Sequence, residues 1–343
     1  MNYNYLYKNV LDIKSIETTI EGSTLLIGKN GARAFRSAPQ QKCERLWELF
    51  GSGGDLPKSF IEAFNGATSG KGYEKRRITQ LNSSSLLALM CFWRVSDKFP
   101  ITIEGIKYTK VFFEVENKVF DNNSSIDILL VSEDGNTLLF LESKFTETLN
   151  PTPRYWLSDK YHPVYKAIER LMSPEISVGN IVARTCKSME RKEFVINSPN
   201  GGKHYFGGIK QMISHLIGLL QGPNTEGKNE RIPHISFYKD QSKKLILGTI
   251  LYNFSAGDFK SAYQDYTSLY SEVFTESNVG NIIKSITNLE NSSISVQRTD
   301  IKVLTHPITY QYVFENPANR NSICPKVAKF YRLTGQFGGR AHE

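Results

Sequence analysis

Hydrophobic positions recur with two different periods along the chain, and these periods predict an alternation of strands and helices. Strands are predicted where apolar and polar residues alternate, or where a short apolar run ends at turn residues. Helices are predicted where apolar residues recur three and four positions apart behind a serine or a proline. The predicted strands are 109–119, 125–132, 137–145, "HISFYKD" and "KLILGTILYNF", the last two as outer strands of one sheet, whereas "RKEFVIN" is either a short strand or a loop. The predicted helices are "QQKCERLWELF", "NSSSLLALMCFWRV", 161–173, 208–221 and 263–274.

The clearest pair of strands is "IDILLVS" and "TLLFLES", which "EDGN" separates. Asp-Gly between two apolar runs predicts a β-hairpin with a two-residue type I′ turn, because that turn needs φ > 0 at both central positions. With Asp134 and Gly135 at those positions, Glu133 faces Asn136. The same register places Asp127 across from Glu142.

Charged residues lie at the open end of this hairpin, on a face that is otherwise apolar. Side chains alternate between faces along a strand, so Lys144 shares a face with Asp127 and Glu142. Like charges that face each other across an antiparallel pair are destabilising. Two facing carboxylates are therefore typical of a site for a hard divalent cation such as Mg²⁺, and a nearby lysine can hold the attacking water or steady charge on a phosphorus centre.

The spacing of Asp127 and the run "ESK", which is Glu142, Ser143 and Lys144, resembles the signature of the PD-(D/E)XK, or restriction-endonuclease-like, nuclease superfamily. Ile126 stands where the signature has proline, a position that is loose in the family. The extension "ESKFTE" is similar to one bacterial branch of restriction-like enzymes. The resemblance covers roughly positions 78 to 255.

The resemblance implies roles for these residues in Mg²⁺-dependent DNA cleavage, with Mn²⁺ as a substitute. Asp127, Glu142 and the backbone carbonyl of Ser143 would bind the metal, and Lys144 would position or deprotonate the water. In that bacterial branch a glutamate on the preceding strand and a glutamine on a later helix support the site. Their counterparts in this chain are Glu114 in "VFFEVEN" and Gln211 in "GGIKQMISHLIGLL".

The sequence also allows purely structural roles for the same residues. Asp127 could cap an edge strand, while Glu142 and Lys144 could form a solvated pair at the rim of the sheet. Glu114 shares its face with Glu116, as residues on the polar side of an edge strand do. Gln211 could face solvent. His215, one turn further along the helix, fits a packed or backbone-bonded histidine better than a ligand.

Composition and length bring few further constraints. The chain has 343 residues, 40% hydrophobic and 22% charged, as is usual for a globular protein. It contains neither an apolar stretch of the roughly 20 residues that a membrane helix needs nor a secretory leader, so we expect a cytoplasmic protein without membrane partners. The four cysteines are far apart, which argues against structural zinc and favours a reducing compartment.

The formal net charge of +8 favours a polyanionic partner. Basic residues cluster in several segments that could be ordinary solvated faces but, beside a nuclease-like site, fit a cleft that contacts phosphates. These segments are 28–36, 71–77, 184–192 and 239–244. No phosphate loop, GxSxG elbow or HExxH motif is present.

The expected fold is therefore α/β, a mixed central sheet flanked by helices with N- and C-terminal extensions. The expected divisions are a segment 1–77 that could contact DNA, a nuclease core 78–260 and a mainly helical segment 261–343 packed on the core. The expected function is that of a Mg²⁺-dependent DNA endonuclease with a restriction or defence role, acting on DNA as a homodimer.

Three alternatives are retained. A repair or recombination nuclease for branched or single-stranded DNA would have the same site. A DNA-binding module with an inert site, or an interaction protein with coincidental charges, would have no activity.

Overall fold

The computed structural model describes residues 5–17, 25–27, 33–35, 41–51, 53–69, 77–150, 152, 154–198, 205–222, 240–254, 257–289 and 295–334. Within these ranges the chain is α/β, with a mixed central sheet of parallel and antiparallel strands flanked by helices. This is the fold class that the sequence predicts.

The two longest strands lie beside each other in the central sheet. In chain order they are β1 (Leu25–Ile27), β2 (Arg33–Phe35), β3 (Ile101–Ile103), β4 (Ile106–Val119), β5 (Asn122–Ser132), β6 (Thr137–Lys144), β7 (Arg154–Ser158), β8 (Ser177–Val178), β9 (Val182–Cys186), β10 (Met189–Asn197), β11 (Lys244–Leu251), β12 (Ile301–Val303) and β13 (Ile308–Thr309).

The helices range from single turns to a helix of 16 residues. They are α1 (Lys14–Glu17), α2 (Lys42–Phe50), α3 (Lys58–Ala67), α4 (Ser84–Phe92), α5 (His162–Ile168), α6 (Phe206–Gln221), α7 (Lys260–Val273), α8 (Glu276–Thr287), α9 (Tyr310–Glu315) and α10 (Pro325–Phe330). Shorter helical turns are Leu6–Val10, Glu147–Leu149, Asp159–Tyr161, Glu169–Leu171, Gly257–Phe259 and Pro317–Ser322.

The central sheet has the order β12-β11-β6-β5-β4-β3, and β13 also pairs with β11. Strands β3 to β6 are antiparallel neighbours, whereas β11 runs parallel to β6. The sequence predicts "KLILGTILYNF" as an outer strand, and this prediction is wrong, because β11 lies between β6 and β12. "HISFYKD" falls outside the described residues apart from Asp240.

One hydrophobic core lies on each face of this sheet. Helix α4 packs in the first core, and all nine of its residues are buried, which explains its lack of a polar face. Helix α6 packs in the second core. Strand β6 is buried along its whole length, as expected for a strand that both layers cover.

The C-terminal segment is integrated into the sheet as well as packed on it. Besides helices α7 to α10, it supplies the short strands β12 and β13. The side-chain amide of Asn319 also binds the backbone of Thr102 in β3. Its Oδ1 accepts a hydrogen bond from the Thr102 N–H at 2.7 Å, and its Nδ2 donates one to the Thr102 carbonyl at 2.8 Å. A second, smaller sheet has the order β7-β10-β8, with β9 paired to β10.

Candidate active site

The hairpin that carries the site has the register that the sequence predicts but a different turn. Ile128 is opposite Leu141, and Val131 is opposite Leu138. Gly135 has a φ of 69°, whereas Asp134 is not left-handed, so the predicted type I′ turn is wrong. The Asp134 carboxylate instead accepts hydrogen bonds from the Ser132 hydroxyl and the Asn136 N–H, which closes the loop by side-chain capping.

The ladder between β5 and β6 ends just before the charged positions. Its last pair is Ile128 and Leu141, and one residue beyond it the Asp127 carboxylate accepts a hydrogen bond from the Ser143 N–H at 2.7 Å. A side chain thus takes the place of a backbone partner. The regular pairing of β5 with β6 therefore stops at the level of the charged residues.

The neighbouring strand β4 is irregular at the same level. Glu114 is a buried residue with a φ of 52°, inside a strand and between the paired residues Phe113 and Val115. Phe113 belongs to the first core and Val115 to the second, so the strand changes face at Glu114. A left-handed non-glycine residue costs free energy and is typical of functional sites. Because of this change, Glu114 and the more exposed Glu116 do not form one regular polar face.

Glu142 is at the centre of a buried cluster of ionisable groups. Its Oε1 accepts a hydrogen bond from Lys144 Nζ at 2.5 Å, and its Oε2 accepts one from His215 Nε2 at 2.8 Å. All three side chains are only 4% exposed. The solvated rim pair that the sequence left open is therefore not what the structure contains.

His215 connects this cluster to β5. Its Nδ1 lies 2.7 Å from the hydroxyl of Ser124. Since the ionised Glu142 carboxylate has no proton to donate, Nε2 carries a hydrogen and donates it to Glu142. The alternative of a merely packed or backbone-bonded histidine is corrected accordingly, because both ring nitrogens bind side chains.

Burial and neighbouring charges move the two carboxyl groups in opposite directions. Burial alone would raise the pKa of Glu142, but Lys144 and His215 outweigh it and lower that pKa to about 2. Burial raises the pKa of Asp127 well above its usual value, and the charges of Glu142 and Glu114 add to this shift. Asp127 is therefore the carboxylate whose negative charge the fold leaves least compensated.

The ammonium of Lys144 is held as a cation. Its burial would lower its pKa, but the Glu142 carboxylate, Tyr205 and Glu147 raise it well above the usual value of a lysine. In this arrangement Lys144 is a hydrogen-bond donor and not a base. Nearby, burial and the charge of Lys144 lower the pKa of Lys210 on α6, so the site contains a second lysine that the sequence analysis did not single out.

The end of β6 is fixed from the opposite side of the sheet. The Ser143 hydroxyl contacts the Ser84 carbonyl at 3.1 Å and the Tyr310 hydroxyl at 2.7 Å. Glu147, the last residue of "ESKFTE", accepts hydrogen bonds from the Ser84 hydroxyl and the Phe145 N–H. These bonds hold the backbone on which Glu142 and Lys144 stand, so Glu147 has a structural role here.

Gln211 lies on α6 one turn before His215, and it is half-buried. Among the described residues it forms no hydrogen bond with the carboxylates or with Lys144. The structure therefore brings together Asp127, Glu142, Ser143 and Lys144, with Glu114 close enough to influence Asp127. It places Gln211 on the same helix as His215 without a contact to the site.

The donor atoms fit a hard divalent cation, whereas their present arrangement is closed. Carboxylate oxygens are the ligands that Mg²⁺ prefers, and the crowding of Asp127 by Glu142 and Glu114 is what a cation would relieve. Both oxygens of Glu142 are, however, occupied by Lys144 and His215. In the part of the chain that the structure describes, no group of three or more His, Cys, Asp or Glu residues is arranged as a metal site.

Comparison of the chain with protein-family models, with curated proteins and with solved structures gave no match. The resemblance to PD-(D/E)XK nucleases therefore rests on the sequence motif alone. No helix in the described ranges is long and apolar enough to cross a membrane.

Proposed function

We propose that this protein is a Mg²⁺-dependent DNA endonuclease of the PD-(D/E)XK type with a restriction or defence role. One observation carries the proposal. Asp127, Glu142 and Lys144 meet beside α6, at the point where the β5–β6 ladder opens. Burial, and then repulsion by Glu142 and Glu114, raise the pKa of Asp127, and a carboxylate pair with only a structural role would avoid both costs.

Asp127, Glu142 and the Ser143 carbonyl would hold the cation, with Glu114 as a further carboxylate. When bound, a divalent metal lowers the pKa of water and neutralises charge on the scissile phosphate. Glu142 must first release at least one of its two present partners. Lys144, once released, is a buried ammonium beside Asp127 and can donate a hydrogen bond to the attacking water or to a phosphate oxygen.

His215 and Lys210 fill supporting roles in this proposal. His215 holds Glu142 through Nε2 and is itself fixed by Ser124, so it sets the orientation of the carboxylate. Lys210, on α6, adds a second ammonium group beside that of Lys144. Burial and the charge of Lys144 both lower the pKa of Lys210. A phosphate would interact favourably with both ammonium groups.

The test is cleavage of supercoiled plasmid, linear duplex, single-stranded and branched DNA in Mg²⁺ or Mn²⁺, followed by sequencing of the ends. Asp127→Ala and Glu142→Ala are expected to abolish cleavage. The matched control is Glu116→Gln, which removes a more exposed carboxylate on β4 and is expected to cut normally. Cleavage that survives Asp127→Ala would contradict the proposal. Preference for branched or single-stranded substrates would instead indicate a repair or recombination nuclease.

A second candidate, an inert DNA-binding module, is favoured by one specific feature. The saturated Glu142 carboxylate is a stable arrangement without any metal. This candidate predicts DNA binding that chelation of metal does not change, and no cleavage with any divalent cation.

Sedimentation with and without duplex DNA tests the homodimer that a symmetric double-strand cutter would form.

A further inference from the structure

Strands β9 and β10 form a two-stranded ribbon, residues 182–192, that projects from the small sheet. Cys186 pairs with Met189, and the two residues between them, Lys187 and Ser188, have φ values of 49° and 64°. This is a tight turn with two left-handed residues, as in a type I′ hairpin. Every residue of the ribbon is exposed except Arg184 and Cys186, which are half-buried.

The ribbon is strongly basic. It contains the cations Arg184, Lys187, Arg191 and Lys192 and the single acid Glu190. Arg184 and Arg191 are opposite each other in the ladder, an arrangement of like charges that is destabilising in the absence of an anion. Arg184 is compensated by Glu193 at 3.2 Å and lies over the Trp156 ring at 4.1 Å.

The other three cations are available to a partner. Lys187, Arg191 and Lys192 form no ion pair with any residue in the described ranges. Two of them also line a cavity of about 460 Å³ at the root of the ribbon. Its lining residues are Asn122, Ser158, Asp159, Lys160, Tyr161, Arg191, Lys192 and Glu193. Its three basic side chains outnumber the acids Asp159 and Glu193, and Glu193 is paired with Arg184, so this cavity can hold a phosphate of a backbone that runs past the ribbon.

The dimensions of the ribbon match the major groove of B-form DNA. From Met189 to Glu193 the strand advances about 13 Å, more than the roughly 8.5 Å depth of the groove, and a two-stranded ribbon fits its width of about 12 Å. The side chain of Met189 at the turn is 54% exposed, and such an apolar group can contact a thymine methyl. The major groove of A-form RNA is too narrow for this approach.

We propose that the ribbon 182–192 inserts into the major groove of duplex DNA and is a determinant of where this protein binds. The inference rests on the proposed function and extends it to the way DNA is recognised. Asn122, in the cavity at the root, begins the strand that carries Asp127. Asp127 is five positions further along this strand, a distance of about 17 Å, so one duplex can contact both the ribbon and the candidate active site.

The test compares two triple variants that remove the same charge. Lys187→Ala, Arg191→Ala and Lys192→Ala together neutralise the ribbon. Lys98→Ala, Lys326→Ala and Lys329→Ala together are the control, since these exposed lysines lie on segments that pack in the first core, across the central sheet. Circular dichroism verifies that both variants fold.

Fluorescence anisotropy measures affinity for a 25-bp DNA duplex and for the RNA duplex of the same sequence, with Ca²⁺ in place of Mg²⁺. We expect the ribbon variant to lose about three units of the slope of log K against log salt on DNA, about one for each phosphate contact. The control variant is expected to keep the wild-type slope. Dimethyl sulfate interference on the wild type is expected at guanine N7, in the major groove, and to disappear in the ribbon variant.

The outcomes separate this inference from the proposed function. If the wild type binds and cuts DNA while the ribbon variant keeps its affinity and slope, the ribbon inference is overturned and the nuclease proposal stands. Interference at adenine N3, in the minor groove, or equal binding of duplex RNA also overturns it. If the wild type neither binds nor cuts any DNA, both proposals are overturned.

Discussion

The two carboxylates of the site differ in what they do for the folded protein. Asp127 is crowded by Glu142 and Glu114, whereas Glu142 is the common partner of Lys144 and His215. Their removal should therefore change stability in opposite directions. Repulsion between facing carboxylates would by itself make the loss of either one neutral or stabilising, but for Glu142 the contacts with Lys144 and His215 reverse that expectation.

We expect Asp127→Asn to raise the free energy of unfolding of the metal-free protein at pH 7. A carboxyl group whose folded-state pKa is raised destabilises the fold progressively as pH rises above its unfolded value. The gain should vanish below about pH 4, where aspartate is protonated in both states. Denaturant unfolding at pH 3.5 and pH 7 measures the difference. An equal or lower stability at pH 7 would show that Asp127 is not under electrostatic strain.

Glu142→Gln is the paired experiment, and it should be destabilising by on the order of 3 kcal/mol at pH 7, because it leaves the buried Lys144 cation without its main partner. The depressed pKa of Glu142 contributes stability that is present above the usual glutamate range and is lost as pH falls toward about 2. The cost of Glu142→Gln should therefore shrink in acid. A neutral effect at pH 7 would contradict the ion pair.

Lys144→Ala should separate chemistry from binding. Lys144 contacts Glu142 and is not itself a metal ligand, so its loss should slow single-turnover cleavage strongly while DNA affinity in Ca²⁺ stays within a few-fold of wild type. Lys144→Arg should rescue incompletely, because the larger planar guanidinium does not fit a site that is 4% exposed. The proposed role is wrong if Lys144→Ala cuts at the wild-type rate or loses activity only in proportion to binding.

Single residues also show what the sequence could and could not predict about the site. Asp127, Glu142 and Lys144 were predictable because they belong to one hairpin, whose register follows from a local turn. His215 was not, since its partners Glu142 and Ser124 are 73 and 91 positions away. The only local signal for His215 is its position four residues after Gln211. The left-handed conformation of Glu114 has no signal in the sequence.

At the scale of elements, prediction succeeded where periodicity is long and failed where it is short. Strands β4 to β6 and helices α4, α6 and α7 follow from patterns of eight residues or more. Strands β12 and β13 have three and two residues, too few to show a period. The inner position of β11 was missed for another reason. An apolar strand has the same sequence pattern inside a sheet and near its edge, and β11 is an inner strand only because β12 and β13 pair with its other side.

The close packing of α6 on β4 gives a prediction that concerns the support of the site. A Cβ at Gly218 would lie 2.9 Å from the Asn117 Cβ and 3.2 Å from Val119 Cγ2. Gly218→Ala should therefore lower the free energy of unfolding by about 1–2 kcal/mol, since overpacking outweighs the gain in helix propensity. The substitution should also reduce cleavage, because α6 carries His215.

A second helical glycine provides the control. A Cβ at Gly280 on α8 would meet no atom within 4 Å, so Gly280→Ala should stabilise the protein by up to about 1 kcal/mol through helix propensity alone. Thermal and denaturant unfolding of the two variants under the same conditions makes the comparison. Equal stabilisation by both substitutions would mean that α6 does not pack on β4 as closely as the structure has it.

At the scale of the whole molecule, the charge distribution is consistent with a polyanionic partner. Of the basic clusters in the sequence, the one in the ribbon 182–192 is described throughout, and part of it lines a cavity together with Asn122, the first residue of β5. Most of the cluster 71–77 lies outside the described residues. The net charge of +8 predicts how association depends on ionic strength.

Binding to duplex DNA in Ca²⁺ should weaken steeply with salt. If six to ten phosphates are contacted, counterion release lowers affinity by about 10³–10⁵ between 50 and 200 mM salt. Protein stability measured over the same range is the internal control, because exposed ion pairs contribute little and should change little. A steep loss of binding at constant stability would assign the effect to the interface with DNA. A flat salt dependence would contradict a nucleic-acid surface, because salt screens the attraction between a polyanion and exposed cations.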